Sequence, residues 1–345
     1  MASTIDIKTS AGRSVGSRDS GEVLPTALEG LHAPRIAVLI PCYNEAASIA
    51  EVVGDFREAL PDATIYVYDN NSTDGTRGRA AAAGAVVRGE PLQGKGNVIR
   101  RMFADNEAEG YVLVDGDGTY AAGSAAAMVD QLLKNSLDMV NGARVAVTGA
   151  AYRRGHAFGN KLLTATVAAI FGSRIRDMLS GYRVMSRRFV KSFPALATGF
   201  ETETELTVHA LELRLPVAEV DTPYRSRSEG SDSKLRTYRD GTRILWTILK
   251  LAKAERPLQF FGVVAAALAL SATVLAWPLL TVYLETGLVP RLPTAVLVTG
   301  MMLLAFVSLV TGLILDAITH GRAEAKRLYY LSLQGPTVRE RRRTP

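Results

Sequence analysis

The sequence predicts an α/β protein with a mostly parallel sheet and helices on both faces, followed by an interfacial amphipathic helix and two transmembrane helices. Two observations carry this prediction. From residue 35 onward, short aliphatic runs alternate with longer helical patterns through the first half of the chain. Near the C-terminus, 28 residues between Arg256 and Glu285 and 24 between Arg291 and Asp316 contain no charge. Each stretch reaches the roughly 20 residues that a helix needs to cross the apolar core of a bilayer.

Residues 1–33 mix Ser, Thr, Gly and Ala with isolated charges and show no period, so they read as a disordered tail and not a signal peptide. Arg35-Ile-Ala-Val-Leu-Ile40 reads as a strand, the Pro41-Cys-Tyr-Asn-Glu45 run as a loop, and the stretch to Leu60 as a helix. The alternation repeats three times. Strands at 64–68, 85–87 and 111–114 are each followed by a polar turn and a helix, the last two helices starting after Gly96 and near Ala122. In open sheets of this kind ligands bind beyond the carboxyl ends of the strands, so the loops at Pro41, Asp69 and Asp115 are expected to share one cleft. These patterns divide the chain into a tail (1–33), an α/β domain (34–240), a juxtamembrane helix (241–256), two spans (257–318, about 258–284 and 293–316) and a basic tail (319–345). In the juxtamembrane helix Ile244, Leu245, Ile248, Leu249 and Leu251 oppose Arg243, Lys250 and Lys253, a pattern that fits the membrane interface and equally a helix packed on protein. Lys250, Lys253 and Arg256 precede the first span. Arg322, Lys326, Arg327, Arg339, Arg341, Arg342 and Arg343 follow the second, so the α/β half and both termini are expected on the cytoplasmic side.

Composition excludes several functions. Lys and Arg number 40 against 34 acidic residues, a net charge of +6 that suits an anionic substrate or lipid but is too small for a nucleic-acid stripe. The lone Cys42 rules out an intrachain disulfide and reads as a small filler at a strand end; the four histidines lack zinc-site spacing. No serine-hydrolase elbow, zincin motif or complete dinucleotide fingerprint occurs.

Asp115-Gly-Asp117 places two carboxylates just past a strand, the hard oxygen donors that Mg²⁺ or Mn²⁺ takes when substrate phosphates complete its shell. A solvated turn is the plain alternative. Gly89-Glu-Pro-Leu-Gln-Gly-Lys-Gly96 nearly matches the phosphate loop of NTPases. Gly96, however, stands where the Mg²⁺-binding hydroxyl belongs, and Pro91 removes an N–H from the cradle. Lys95 before a helix still suits a diphosphate. In the second half, Asp177-Met-Leu-Ser-Gly-Tyr-Arg183, the acidic run Glu201-Thr-Glu-Thr-Glu205, and a basic Ser/Gly-rich loop with Arg225, Arg227 and Lys234 stand out.

Taken in order, Pro41–Glu45, Tyr68-Asp-Asn-Asn-Ser-Thr-Asp-Gly-Thr76, Gly94-Lys-Gly96, Asp115-Gly-Asp117, Ser180-Gly-Tyr-Arg183 and 230–235 resemble the family 2 glycosyltransferases of GT-A fold. The branch they resemble comprises the polyprenyl-phosphate glycosyltransferases, including dolichyl-phosphate mannose synthase, and the likeness covers about residues 35–250. The resemblance implies inverting transfer of a sugar from a nucleotide diphosphate (GDP-mannose, UDP-glucose or UDP-N-acetylglucosamine) to the phosphate of a polyprenol. It implies that Pro41, Tyr43, Glu45, Asp69, Lys95, Asp115 and Gly116 hold the nucleotide sugar and that Asp115 and Asp117 hold Mg²⁺ or Mn²⁺. It assigns catalytic parts to Asp117, Asp177, Arg227 and Lys234, and the acceptor phosphate to Arg144, Arg153, Arg154 and Ser180. Asp69-Asn-Asn-Ser stands where many relatives carry Asp-Asp-Gly-Ser, and Thr119 where some carry Gln. The expected partners are the donor, the lipid acceptor and the membrane, with no nucleic acid; a homo-oligomer is compatible. The alternatives are a catalytically silent nucleotide-sugar-binding membrane subunit and a P-loop-like NTPase.

Overall fold

The structure, a computed structural model, describes residues 34–146, 175–199, 201–225 and 253–335, together with Trp246 and Lys250. The expectations for the 1–33 tail, Arg153, Arg154, Arg227, Lys234, most of the 241–256 helix and the arginines from 339 on lie outside the described residues.

Four strand–helix repeats open the domain: β1 (Ile36–Cys42), α1 (Ile49–Ala59), β2 (Thr64–Asp69), α2 (Thr76–Ala82), β3 (Val86–Gly89), α3 (Lys95–Asp105), β4 (Gly110–Leu113) and α4 (Ala125–Lys134). Then follow β5 (Met139–Ala146), β6 (Arg183–Ser186), α5 (Arg187–Ser192), α6 (Thr202–Glu212) and β7 (Val217–Tyr224). The seven strands form one sheet in the order β3-β2-β1-β4-β6-β5-β7, parallel except for β6, which runs against both β4 and β5. The strands β5, β6 and β7 lie beyond those that the sequence pattern predicts. In β5 Asn141 and Arg144 break the aliphatic pattern, and β6 has four residues, so neither carries a period long enough to read.

Alternation along the strands builds two apolar layers. Val38, Ile40 and Cys42 of β1 face α1, α2 and α4, where Ile49, Val53, Phe56, Ala80, Met128 and Leu132 cover them. Ala37 and Leu39 point the other way, to Ile99, Met102 and Phe103 of α3, Phe189 of α5 and Leu206 of α6. Each fully buried side chain of this size contributes roughly 1.5–3 kcal/mol. The strand β1 extends through Pro41, past the end predicted at Ile40. Its pairing with β4 stops at Leu39, so Pro41 pairs only with Tyr68 of β2, and a proline, which lacks an N–H, fits a strand with a neighbour on one side.

Two long helices follow, α7 (Pro257–Thr286) and α8 (Leu292–Leu331). Both are long and apolar enough to cross a membrane, with mean hydropathy 2.1 and 2.3 over their most apolar windows. They pack on each other where Gly312 lets α8 approach Leu258 and Phe261, while Leu270, Trp277, Leu303 and Phe306 remain exposed. A buried core helix would hide such residues; outward exposure along two helices suits lipid. The sequence places the end of the second span near 318, but α8 continues unbroken to Leu331.

Candidate active site

The site forms where β1, β2 and β4 end. Cys42 pairs in register with Asp69, and the Cys42 carbonyl accepts from Asn70 N–H at 2.9 Å. The 43–46 and 70–76 loops interlock: Asn44 N–H donates to Ser72 Oγ, Glu45 N–H to Thr76 Oγ1, and Thr73 N–H to Asn44 Oδ1, all within 2.8–2.9 Å. Asn44 and Asn71 take the left-handed conformation at φ 54° and 65°, which asparagine tolerates better than most residues. From the third loop, the Gly116 carbonyl accepts from the Ser48 hydroxyl at 2.7 Å, and Gly116 lies so close to Cys42 that a Cβ there would sit 2.5 Å from Sγ. Burial pushes the Cys42 thiol well up, and Glu45, Asp69, Asp115 and Asp117 add to that rise. Cys42 is therefore the inert filler that the sequence suggested, and it lies amid four of the predicted carboxylates. The three loops do share one site.

Within it, Lys95 at the start of α3 bridges two acids: its Nζ lies 2.5 Å from Asp115 Oδ1 and 2.5 Å from Glu203 Oε1. Burial pulls the Lys95 ammonium down, but Asp115 and Glu203 outweigh it and hold the pKa well above the usual lysine range. Within the 201–205 acidic run nothing local marks Glu203, because only tertiary folding brings α6 against α3. The helix end itself is covered. Gly96 N–H donates to Thr198 O at 3.1 Å, and a Cβ on Gly94 or Gly96 would meet the Thr198 or Ala197 carbonyl oxygen at 2.2 Å. The Ala197–Thr198 backbone thus packs directly on the glycines at this helix N-terminus. Lys95 reaches into the site to Asp115.

Asp117 is buried and accepts from Thr119 at Oδ1, from the hydroxyl at 2.6 Å and the N–H at 3.2 Å. Asp69 is buried too; Ser72 N–H reaches Oδ2 at 3.4 Å, and Oδ1 has no partner among the described residues. Asn70 explains the departure from the family pattern. Its amide donates to the Glu90 and Leu92 carbonyls at 2.8 Å and its Oδ1 accepts from Gly94 N–H, a tie to the 90–94 loop that an aspartate could not make. Pro41 is half-buried, and Tyr43, 37% exposed, stands at the rim.

On the β5 side, Arg144 clasps Asp177 in a two-pronged pair, Nε to Oδ2 at 2.6 Å and Nη2 to Oδ1 at 2.8 Å, and its guanidinium lies over the Tyr224 ring at 5.5 Å. Ser180 is fully buried, and its hydroxyl donates to Gly142 O at 2.5 Å, which ties the 177–183 segment to β5. Gly181 packs on Asp115, where a Cβ would sit 2.4 Å from Oδ2, and its N–H donates to Tyr120 OH at 2.8 Å. Arg183, also fully buried, donates to the carbonyls of Met178, Ser180 and Glu203 and to Thr207 Oγ1. Burial lowers its pKa to about 10. Thus the Ser180–Arg183 motif fixes the floor under Asp115 and ties it to Glu203.

Residues 37–193 match the model of glycosyl transferase family 2. Glycosyltransferase AglJ of Haloferax volcanii is 38% identical over 234 residues, which cover 67% of this chain and 77% of that protein. The chain belongs to glycosyl transferase family 2. A second relative in the family, polyprenol monophosphomannose synthase of Mycolicibacterium smegmatis, is 26% identical over 216 residues, covering 57% of this chain and 79% of its own length. Among solved structures, glucosyl-3-phosphoglycerate synthase of Mycobacterium tuberculosis, crystallised with Mn²⁺, UDP-glucose and phosphoglyceric acid, superposes with a TM-score of 0.50 at 25% identity. The match covers 63% of this chain and 79% of that one. The family 2 chain is accordingly a glycosyltransferase with a GT-A-like sheet.

Proposed function

We propose that this glycosyltransferase moves a sugar, with inversion, from a nucleotide diphosphate donor to the phosphate of a polyprenyl phosphate held in the membrane. The observation that carries the reading is the convergence of Asp69, Asp115, Asp117 and Lys95 at the ends of β1, β2 and β4, in a chain that continues into two lipid-compatible helices. The names of two relatives agree with its halves: the polyprenol synthase with the acceptor, and the synthase bound to UDP-glucose with the donor.

Asp69 Oδ1 is buried without a donor among the described residues, a state that costs about 1–3 kcal/mol and that an N–H or O–H of the nucleoside would relieve. Asp115 and Asp117 present hard oxygens on either side of a glycine, which fits Mg²⁺ or Mn²⁺. Among the described residues no group of three or more His, Cys, Asp or Glu is arranged to hold a metal, so donor phosphates would complete the shell. Such an ion supplies charge stabilisation for the departing diphosphate. Lys95, held by Glu203, fixes the Asp115 carboxylate. The acceptor, a phosphate monoester with a second pKa near 6, is largely a dianion at neutral pH and needs little base catalysis. Asp177 then serves to aim Arg144 at the acceptor phosphate. Arg153, Arg154, Arg227 and Lys234 are proposed to add positive charge around the two phosphate groups.

The test uses the full chain in nanodiscs with short polyprenyl phosphate, Mg²⁺ or Mn²⁺ and a panel of GDP- and UDP-sugars, with glycolipid followed by mass spectrometry. One donor is expected to give a polyprenyl-phosphate sugar, and chelation by EDTA to stop its formation until metal is returned. Absence of product with every donor would overturn the reading.

A further inference from the structure

The polar end of α8 does not trail away from the catalytic domain. The charge-free part of this helix ends at Leu315, and the remaining 16 residues to Leu331 project about 24 Å further. Along them Thr319, Arg322, Lys326, Arg327 and Tyr330 follow at intervals of three, four, one and three, the spacing of one helix face. Every one of these side chains has a partner outside α8. Thr319 Oγ1 donates to Ala254 O at 3.3 Å, and Arg322 lies 3.9 Å from Glu255. Lys326 Nζ meets Glu212 Oε2 at 2.6 Å, with the two side chains only 22% and 7% exposed. Arg327 reaches Leu213 O at 3.4 Å.

The last contact is the most enclosed. Asp138, fully buried at the start of β5, accepts from Ser186 Oγ at 2.7 Å, from Arg188 Nε at 2.5 Å and Nη2 at 2.8 Å, and from Tyr330 OH at 2.6 Å. The Arg188 guanidinium covers the Tyr330 ring at 4.9 Å. Lys326 and Arg327, which sequence alone assigns to membrane orientation, are thus turned to α6 of the domain, while Arg322 pairs with Glu255 just before α7. A solvated basic tail would leave Lys326 and Tyr330 exposed, whereas both are largely enclosed against the domain.

We propose that residues 319–331 form a clasp that holds the catalytic domain in one orientation on its membrane helices, with Lys326 and Tyr330 as positioning residues for a membrane-embedded acceptor. The acceptor clause rests on the function proposed above. The physical reason is orientational: a donor bound in the domain and a phosphate fixed at the bilayer surface react only when the domain is held at one height and tilt, and a misplacement of about 1 Å can cost a hundredfold in rate.

The variants chosen spare the fold. Tyr330→Phe leaves Asp138 its bonds to Arg188 and Ser186, and Lys326→Glu can be reversed by Glu212→Lys. Spin labels on cysteines at Glu58 of α1 and Val263 of α7, both exposed, report the distance between domain and span in nanodiscs. The expected result is one narrow distance distribution for the parent, a broad one for Tyr330→Phe and for Lys326→Glu, and a narrow one again for Lys326→Glu with Glu212→Lys. Transfer to a long-chain polyprenyl phosphate in the nanodisc should fall about tenfold or more in the single variants, while transfer to a short detergent-soluble analogue is retained. Unchanged distances would overturn the clasp, and an equal loss with both acceptors would overturn the positioning role. A parent enzyme inactive on both acceptors would refute the acceptor reading, and the distances would still decide the clasp.

Discussion

Lys95 illustrates how a site residue gains its role from partners far away in sequence. Its ammonium neutralises Asp115 on one side and Glu203 on the other, so Lys95→Met would leave two carboxylates facing one another in a nearly dry place. Breaking a buried pair in this way costs about 3–5 kcal/mol. The variant should lose thermal stability and about a hundredfold in turnover, measured as glycolipid formed per enzyme; turnover close to the parent's would refute the role of Lys95 in holding Asp115. His209 offers a separate test. Burial between Phe189 and Phe193, aided by the charge of Lys326, lowers its pKa to about 3. Below about pH 6.5 the unfolded imidazole takes up a proton that the folded one refuses, so stability falls as pH falls from there towards pH 3. The contribution is up to about 1.4 kcal/mol per pH unit, and His209→Gln should show a shallower loss of unfolding midpoint between pH 7 and 5.

The α3 entry shows the same logic one level up. Its glycines, read from sequence as a phosphate cradle, are small because the Ala197–Thr198 backbone lies against them. Gly94 also has φ 131°, a region closed to most side chains. Gly94→Ala is therefore expected to destabilise the protein by more than about 2 kcal/mol and to loosen the tie between α3 and the segment before α6, read as a lower thermal midpoint and faster amide exchange at Gly96. The strands of the first half were legible because each is a compact aliphatic run with a turn behind it. In β5 and β6 polar residues at the sheet interior, Asn141 and Arg183, satisfy distant partners, so their strands lack an apolar signature. Glu203 escaped notice for the same reason, since nothing local separates it from its acidic neighbours.

At the level of membrane placement, the basic flanks of α7 and α8 predict that the catalytic domain and both termini lie on the cytoplasmic side. A cysteine at Leu288, in the turn between the two helices, should then react with an impermeant maleimide added outside intact cells, while one at Glu58 should react only after lysis; the reverse would invert the topology. The sequence by itself determined the α/β class, the family, the acidic loop at Asp115–Asp117 and two apolar segments, because each rests on local composition or on motifs of fixed spacing. Tertiary structure decided which of those residues act together. It paired Lys95 with Glu203, assigned Ser180 and Arg183 to the floor of the site, and docked Lys326 and Tyr330 on Glu212 and Asp138 of the domain. Long-range ion pairs and backbone approaches depend on how helices pack on the sheet, and no local period in the chain encodes them.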